Sequence, residues 1–338
     1  MPFGPNAGRD MGGTGHSMPE GAAGPEPENL GLHRFTVFTA LCTTFLIFAG
    51  GMVTSTESGL AVPDWPLSFG MFFPPMVGGI FYEHGHRMVA SFVGFLTVIL
   101  SIWTWKKEPR LWVRWLALGA LGAVIAQGIL GGITVIFLLP TPVSVSHAML
   151  AQTFFCMIVA MALFTSPDWK RGLPDAGPRQ GIPSLPWLCG LTTGAVYLQL
   201  LLGALMRHTQ SGLAIPDFPL AFGRMIPPFE SSSVVIHFTH RLGALLVTTM
   251  ISWTLIRILS EYRNHSRLLR PVLVIAFLLC IQITLGAFTI WTEKGEIVTT
   301  FHVMTGAMIL GVSVLLALRA FAMLPPGLRT RTASPQLA

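Results

Sequence analysis

Eight apolar runs of about 20 residues, each long enough to cross a bilayer core as helix, punctuate this 338-residue chain. They fall near residues 35–54, 84–105, 115–138, 147–165, 186–207, 235–258, 271–292 and 300–323. Only 11% of residues are charged and 52% are hydrophobic, whereas soluble domains are about a quarter charged. The fold class expected is therefore an all-α integral membrane protein with eight transmembrane helices. An even number of spans puts both termini on one side. Of the 21 Lys and Arg residues, 16 fall in the tails and in the connections after even-numbered spans, so the positive-inside bias predicts cytoplasmic termini. The net charge of +6 lies in short clusters between apolar runs, which argues against a nucleic-acid partner. Cys42, Cys156, Cys189 and Cys280 all lie within apolar runs without CxxC spacing, so neither a disulfide framework nor a zinc site is expected.

The chain is duplicated. Residues 58–70 and 211–223 are identical at ten of thirteen positions. Glu83, His86 and Arg87 recur as His237, His240 and Arg241 at an offset of 154, and Gln127, Gly131 and His147 recur as Gln282, Gly286 and His302 at 155. Four spans per half give parallel rather than inverted repeats, hence two pseudo-symmetric four-helix bundles. The expected organisation is a disordered cytoplasmic tail over 1–34 with no signal-peptide core, an N-terminal bundle over 35–165, a cytoplasmic linker over 166–185, a C-terminal bundle over 186–323 and a cytoplasmic tail over 324–338.

Ionisable side chains inside membrane spans are costly and point to function. His86, His147, His240 and His302 lie in the first turns of the even-numbered spans, all at the outer end, and the duplication pairs His86 with His147 and His240 with His302. Facing histidines in a four-helix bundle can hold a heme iron through both axial positions. The residue four positions on, Ala90, Ala151, Ala244 or Gly306, is small in every case, as a broad macrocycle requires. For a lone histidine, bonding to interfacial water would be the better reading; the fourfold repetition favours ligation.

Glu83 projects from the same helical face as His86, and His237 replaces it in the second half. A carboxylate beside one site only suggests that the first half does chemistry while the second stores or passes electrons. Glu83 either moves a proton or polarises a substrate, or it is an interfacial carboxylate paired with Arg87. Arg87 and Arg241, on the side poorer in basic residues, are assigned to heme propionates, with headgroup contact as the alternative. The repeated aromatic loop is either a lid over the porphyrin or a structural cap. Gln127 and Gln282 read as helix bridges, and His16, His33, His84, His208 and His265 as non-ligands.

These residues together resemble the heme A synthase family over about 35–323: Glu83, His86 and Arg87, then His147, His240 with Arg241, His302, and the loop 58–67. The resemblance implies oxidation of the C8 methyl of heme O to a formyl, by successive hydroxylations and loss of water, giving heme A for cytochrome c oxidase. It further implies that Glu83 is catalytic, that His86 and His147 receive heme O, and that His240 and His302 ligate a heme b cofactor that carries electrons. Heme O synthase and cytochrome c oxidase assembly factors become possible partners beside membrane lipid and an electron donor that is not identified. The implied location is the bacterial cytoplasmic (inner) membrane, with the heme sites toward its outer face. One departure stands out: Val62 and Ser68 occupy the places of an outer-loop cysteine pair found in many bacterial members, so no thiol relay is expected. Glu57, where a small residue is expected, has no explanation. A non-enzymatic di-heme b electron carrier is the alternative, disfavoured because all four histidines lie at one face. A duplicated transporter is a third class, disfavoured because its polar groups would gather at midplane.

Overall fold

A computed structural model describes residues 1, 30–177 and 181–324. Its long helices are α1 (Leu30–Ser55), α2 (Gly79–Lys107), α3 (Leu111–Ile136), α4 (Thr141–Phe164), α6 (Leu185–His208), α7 (Ser232–Glu261), α8 (Ser266–Trp291) and α9 (Glu296–Met323), with a single turn, α5 (Pro167–Lys170), between the halves. The eight long helices are apolar enough to cross a membrane. At about 1.5 Å per residue, 24 to 30 residues exceed the roughly 30 Å hydrocarbon core, so their ends project beyond it.

The helices start earlier than the apolar runs. His86 is the eighth residue of α2 and His302 the seventh of α9, so these histidines are still in the first turns of their helices but about two turns from the start, deeper than the apolar runs alone indicated. Hydropathy marks where polar residues thin out; helices begin where the backbone can be capped. Pro stands in the first turn of α4 and α6, where its missing N–H costs nothing, and the Ser231 side chain accepts from Val234 N at the start of α7. Residues 30–34, expected as part of a tail, belong to α1; residues 2–29 of that segment and 325–338 of the C-terminal tail lie outside the described residues.

Helices α1 to α4 pack as one ring of neighbours and α6 to α9 as another, and the rings meet where α1 and α4 face α9 and α6. Many outward side chains are as apolar as the inward ones: Leu41, Phe95, Leu245 and Phe277 are all exposed. With lipid outside, apolar burial does not hold the helices together, and close contact at small residues does. At the seam the Phe155 ring lies on Gly311, with Cε1 2.7 Å from where a Cβ would stand, and Thr300 lies on Gly51 at 3.0 Å. Hydroxyls within the spans bond their own helix, as Thr39 and Thr43 do to the carbonyls four residues back, or a neighbour, as Thr192 does to Thr254 at 2.9 Å.

The duplication reaches the backbone of the repeated loops before α2 and α7. Each closes on a small antiparallel bridge, Ser68 with Met71 and Ala221 with Arg224. Each turns through the left-handed region at Phe69 and Gly70, or Phe222 and Gly223.

Candidate heme-binding sites

Each of the four histidines rests on a glycine of the neighbouring helix. A Cβ added at Gly50, Gly131, Gly203 or Gly286 would lie 3.0, 3.2, 3.1 or 3.2 Å from Cε1 of His86, His147, His240 or His302. Thus α1 supports the ring on α2, α3 the ring on α4, α6 the ring on α7 and α8 the ring on α9. His147 is close enough to His86, and His302 to His240, for their charges to interact. The structure brings together the pairs that the duplication indicated. Two of the four glycines, Gly131 and Gly286, were visible as repeat positions; Gly50 and Gly203 recur as well, at an offset of 153, but were missed because glycine is common in membrane helices.

Amides attend three of the rings. Gln127 Nε2 donates to the His147 carbonyl at 2.9 Å, which is the helix-bridging role expected of it. Gln282 Nε2 instead meets His302 Nε2 at 3.2 Å. Gln199, unremarked in the sequence, donates to the His240 carbonyl at 2.9 Å and lies 3.1 Å from His240 Nδ1. Its repeat position is Leu46, so the duplication could not reveal it; a lone glutamine in an apolar span was the available signal.

The residues present fit a heme. Nδ1 of His86, His147 and His302, and Oε1 of Gln127, Gln199 and Gln282, are buried without a partner. Such atoms cost about 1–3 kcal/mol each when nothing satisfies them, and they gather around the four rings. Among the described residues no three His, Cys, Asp or Glu side chains converge. Protein donors arriving only in pairs suit an iron whose other ligands belong to a macrocycle, not a bare ion.

The repeated loops are clasped to the histidine helices. Glu83 is 3% exposed; its Oε2 accepts from Val62 N at 2.8 Å and its Oε1 from Arg87 Nη2 at 2.6 Å. In the second half the N–H of Ile215, at the place of Val62, donates to His237 Nδ1 at 3.2 Å. Glu83 and His237 therefore share one structural task and differ in charge. Arg87 Nη1 donates to the carbonyls of Asp64 and Leu67, both at 2.8 Å. Arg241 does the same to Leu220 and Asp217, at 2.8 and 2.7 Å. Both guanidinia thus hold the loops with their Nη groups, leaving Nε for any other partner.

Within each loop a carboxylate closes the turn. Asp64 accepts from Phe69 N and Gly70 N at 2.6 and 2.8 Å, and Asp217 from Phe222 N and Gly223 N at 2.7 and 2.8 Å. The Gly70 and Phe69 amides hold the Asp64 carboxyl below the usual carboxylate range, and the Gly223 amide leads the same effect at Asp217. The Trp65 indole lies on Gly132, with Cδ2 2.6 Å from a Cβ position there, so the loop covers the first bundle beside Gly131 and His147. The repeat sets a smaller Phe218 in place of Trp65 and a larger Ala287 in place of Gly132.

Two histidines read as non-ligands have partners of their own. His84 Nδ1 lies 2.8 Å from Ser68 Oγ, joining loop to helix, and His33 Nδ1 lies 3.0 Å from the Ala162 carbonyl.

Residues 77–314, more than half of the chain, match the family described as cytochrome oxidase assembly protein. The chain is 29% identical over 282 residues to the heme A synthase of Halalkalibacterium halodurans, covering 80% of this chain and 92% of that one. It is 26% identical over 310 residues to the heme A synthase of Geobacillus kaustophilus, covering 91% and 95%. To the heme A synthase of Symbiobacterium thermophilum it is 33% identical over 220 residues, covering 63% and 71%. The matched stretch contains all four glycine-seated histidines and Glu83: this chain belongs to the cytochrome oxidase assembly protein family.

Proposed function

We propose that this protein is a heme A synthase, an integral membrane oxidoreductase that oxidises the C8 methyl of heme O to a formyl. The observation that carries the proposal is the pair of histidines in each half, each ring laid on a glycine, with Nδ1 of His86, His147 and His302 and Oε1 of Gln127, Gln199 and Gln282 buried without a partner. The similarity to proteins named heme A synthase supports it.

His86 and His147 are assigned to the iron of the substrate, heme O, and His240 and His302 to that of a heme b cofactor. The glycines fix each ring against a neighbouring backbone, so that a ligand meets donors already oriented. The bound cofactor supplies the one-electron chemistry that no side chain here possesses. Glu83 is the group that separates the halves. Its carboxylate oxygens each hold one hydrogen bond and can each accept another, so a proton released beside His86 has an acceptor at Oε1 or Oε2. Through Val62 and Arg87 the same carboxylate ties the outer loop over the first-half site, which excludes water there. The sites are assigned to the outer side of a bacterial inner membrane, with both termini in the cytoplasm.

The test is pigment extraction with reduced-minus-oxidised spectroscopy of purified protein, expressed with and without a supply of heme O. Heme b alone without the supply, and hemes O and A with it, is the expected result; Glu83→Ala should keep heme b and form no heme A. Heme b in both preparations at two per chain, never converted, would make the protein an electron carrier. Loss of heme b from Glu83→Ala would contradict the division of labour between halves.

A further inference from the structure

The second half carries a charge that the first lacks. Arg207 stands one helical turn beyond Gly203, the glycine beneath His240, and so on the same face of α6. Its Nη2 donates to the Gly51 carbonyl at 3.0 Å and to Ser55 Oγ at 2.7 Å, both on α1 of the other bundle. Ser55 Oγ also accepts from Thr300 Oγ1 at 2.9 Å, and Thr300 precedes the ligand candidate His302 by two residues on α9. The guanidinium is therefore fixed at the seam between bundles, one turn from the glycine beneath His240 and joined through Ser55 to the helix that carries His302, and its charge reaches His302.

Among the described residues nothing neutralises it: its hydrogen-bond acceptors are a carbonyl and a hydroxyl, and no described carboxylate is near enough to offset it. An unpaired cation at a membrane helix end is costly and calls for an anion. The repeat position is Thr54, whose hydroxyl merely bonds the Gly50 carbonyl of its own helix at 3.2 Å. Arg87 and Arg241, by contrast, spend their Nη groups on loop carbonyls. The two halves thus differ by opposite charges: Glu83 in the first, Arg207 in the second.

We propose that Arg207 is a positioning residue of the second-half site, a fixed positive charge that pairs with an acidic group of the bound porphyrin and favours its reduced state. The inference rests on the reading of His240 and His302 as heme ligands. A cation beside the iron stabilises the form that has gained an electron, which keeps the second half able to accept electrons while the first half does chemistry.

The experiment is a dithionite titration of the purified holoprotein, in which ferric heme takes one electron and becomes ferrous. Arg207→Gln should shift the ferric-to-ferrous balance at least tenfold toward ferric, about 59 mV for one electron, and Arg207→Lys should stay close to wild type. Arg207→Met, which fills similar space without a polar atom to bury, gives the same reading if the Gln variant does not accumulate. Loss of heme from both uncharged variants but not from the Lys variant also supports the pairing. Full heme content at an unchanged potential in Arg207→Gln, or a Lys variant shifted as far as Gln, would overturn the inference alone. A wild-type protein that binds no heme would overturn the functional reading and this inference with it.

Discussion

A methyl group at Gly286 would stand 3.2 Å from Cε1 of His302, closer than packed atoms ordinarily sit, and the ring would have to turn from its place. Overpacking of this kind costs about 1–3 kcal/mol, so Gly286→Ala should weaken heme b affinity by roughly 5- to 150-fold, read from a heme titration followed by the low-spin absorbance. Gly131→Ala should spare that absorbance, since Gly131 supports His147 in the other bundle. The histidines themselves were legible from the sequence because a titratable group inside an apolar span is rare and these recur at fixed offsets. Their supports were half legible. Contact between a ring and a glycine on another helix depends on how the helices are rotated, which no spacing along one helix reports, and Gln199 has no repeat partner to mark it.

The repeated loops behave as elements whose shape is set by a few polar contacts. Asp64 and Asp217 each gather two backbone N–H groups and are held below the ordinary carboxylate range by them. A depressed carboxyl contributes stability that is complete above its unfolded pKa of about 3.9 and is lost as pH falls through the lower folded value. Both loops should therefore resist a protease down to about pH 4 and open only in stronger acid, whereas Asp64→Asn should open the first loop already at neutral pH. Equal cleavage of variant and wild type at neutral pH would contradict the role of the carboxylate. The sequence showed these loops as a repeated motif but left open whether they act as lid or cap. The structure supplies the contacts that bear on this, with Trp65 on Gly132 and Glu83 and Arg87 tied to loop backbone. Helix ends were less legible: α2 begins not near 84 but at Gly79, where Gly78 takes a positive φ and the Ile80 and Phe81 N–H groups donate to the Val77 and Gly78 carbonyls, which hydropathy does not report.

At the scale of the molecule, two bundles of four helices place a pair of histidines in each half and meet along a seam of small residues and one arginine. The eight spans and their grouping followed from apolar run length and the duplication; the seam did not, since helices facing lipid and helices facing each other are equally apolar in this chain. Orientation is checked by labelling intact cells with a membrane-impermeant maleimide. Phe72→Cys, at an exposed position of the first repeated loop, should react, and Lys106→Cys, at the opposite end of α2, should react only after lysis; the reverse pattern would invert the proposed topology. The central claim is that the two histidine pairs serve different hemes. It is tested most directly by the reduced-minus-oxidised spectrum of four single variants, His86→Ala, His147→Ala, His240→Ala and His302→Ala, purified without heme O. The account predicts that His240→Ala and His302→Ala lose the low-spin heme b signal while the first-half variants keep it; an intact signal in both second-half variants would contradict it.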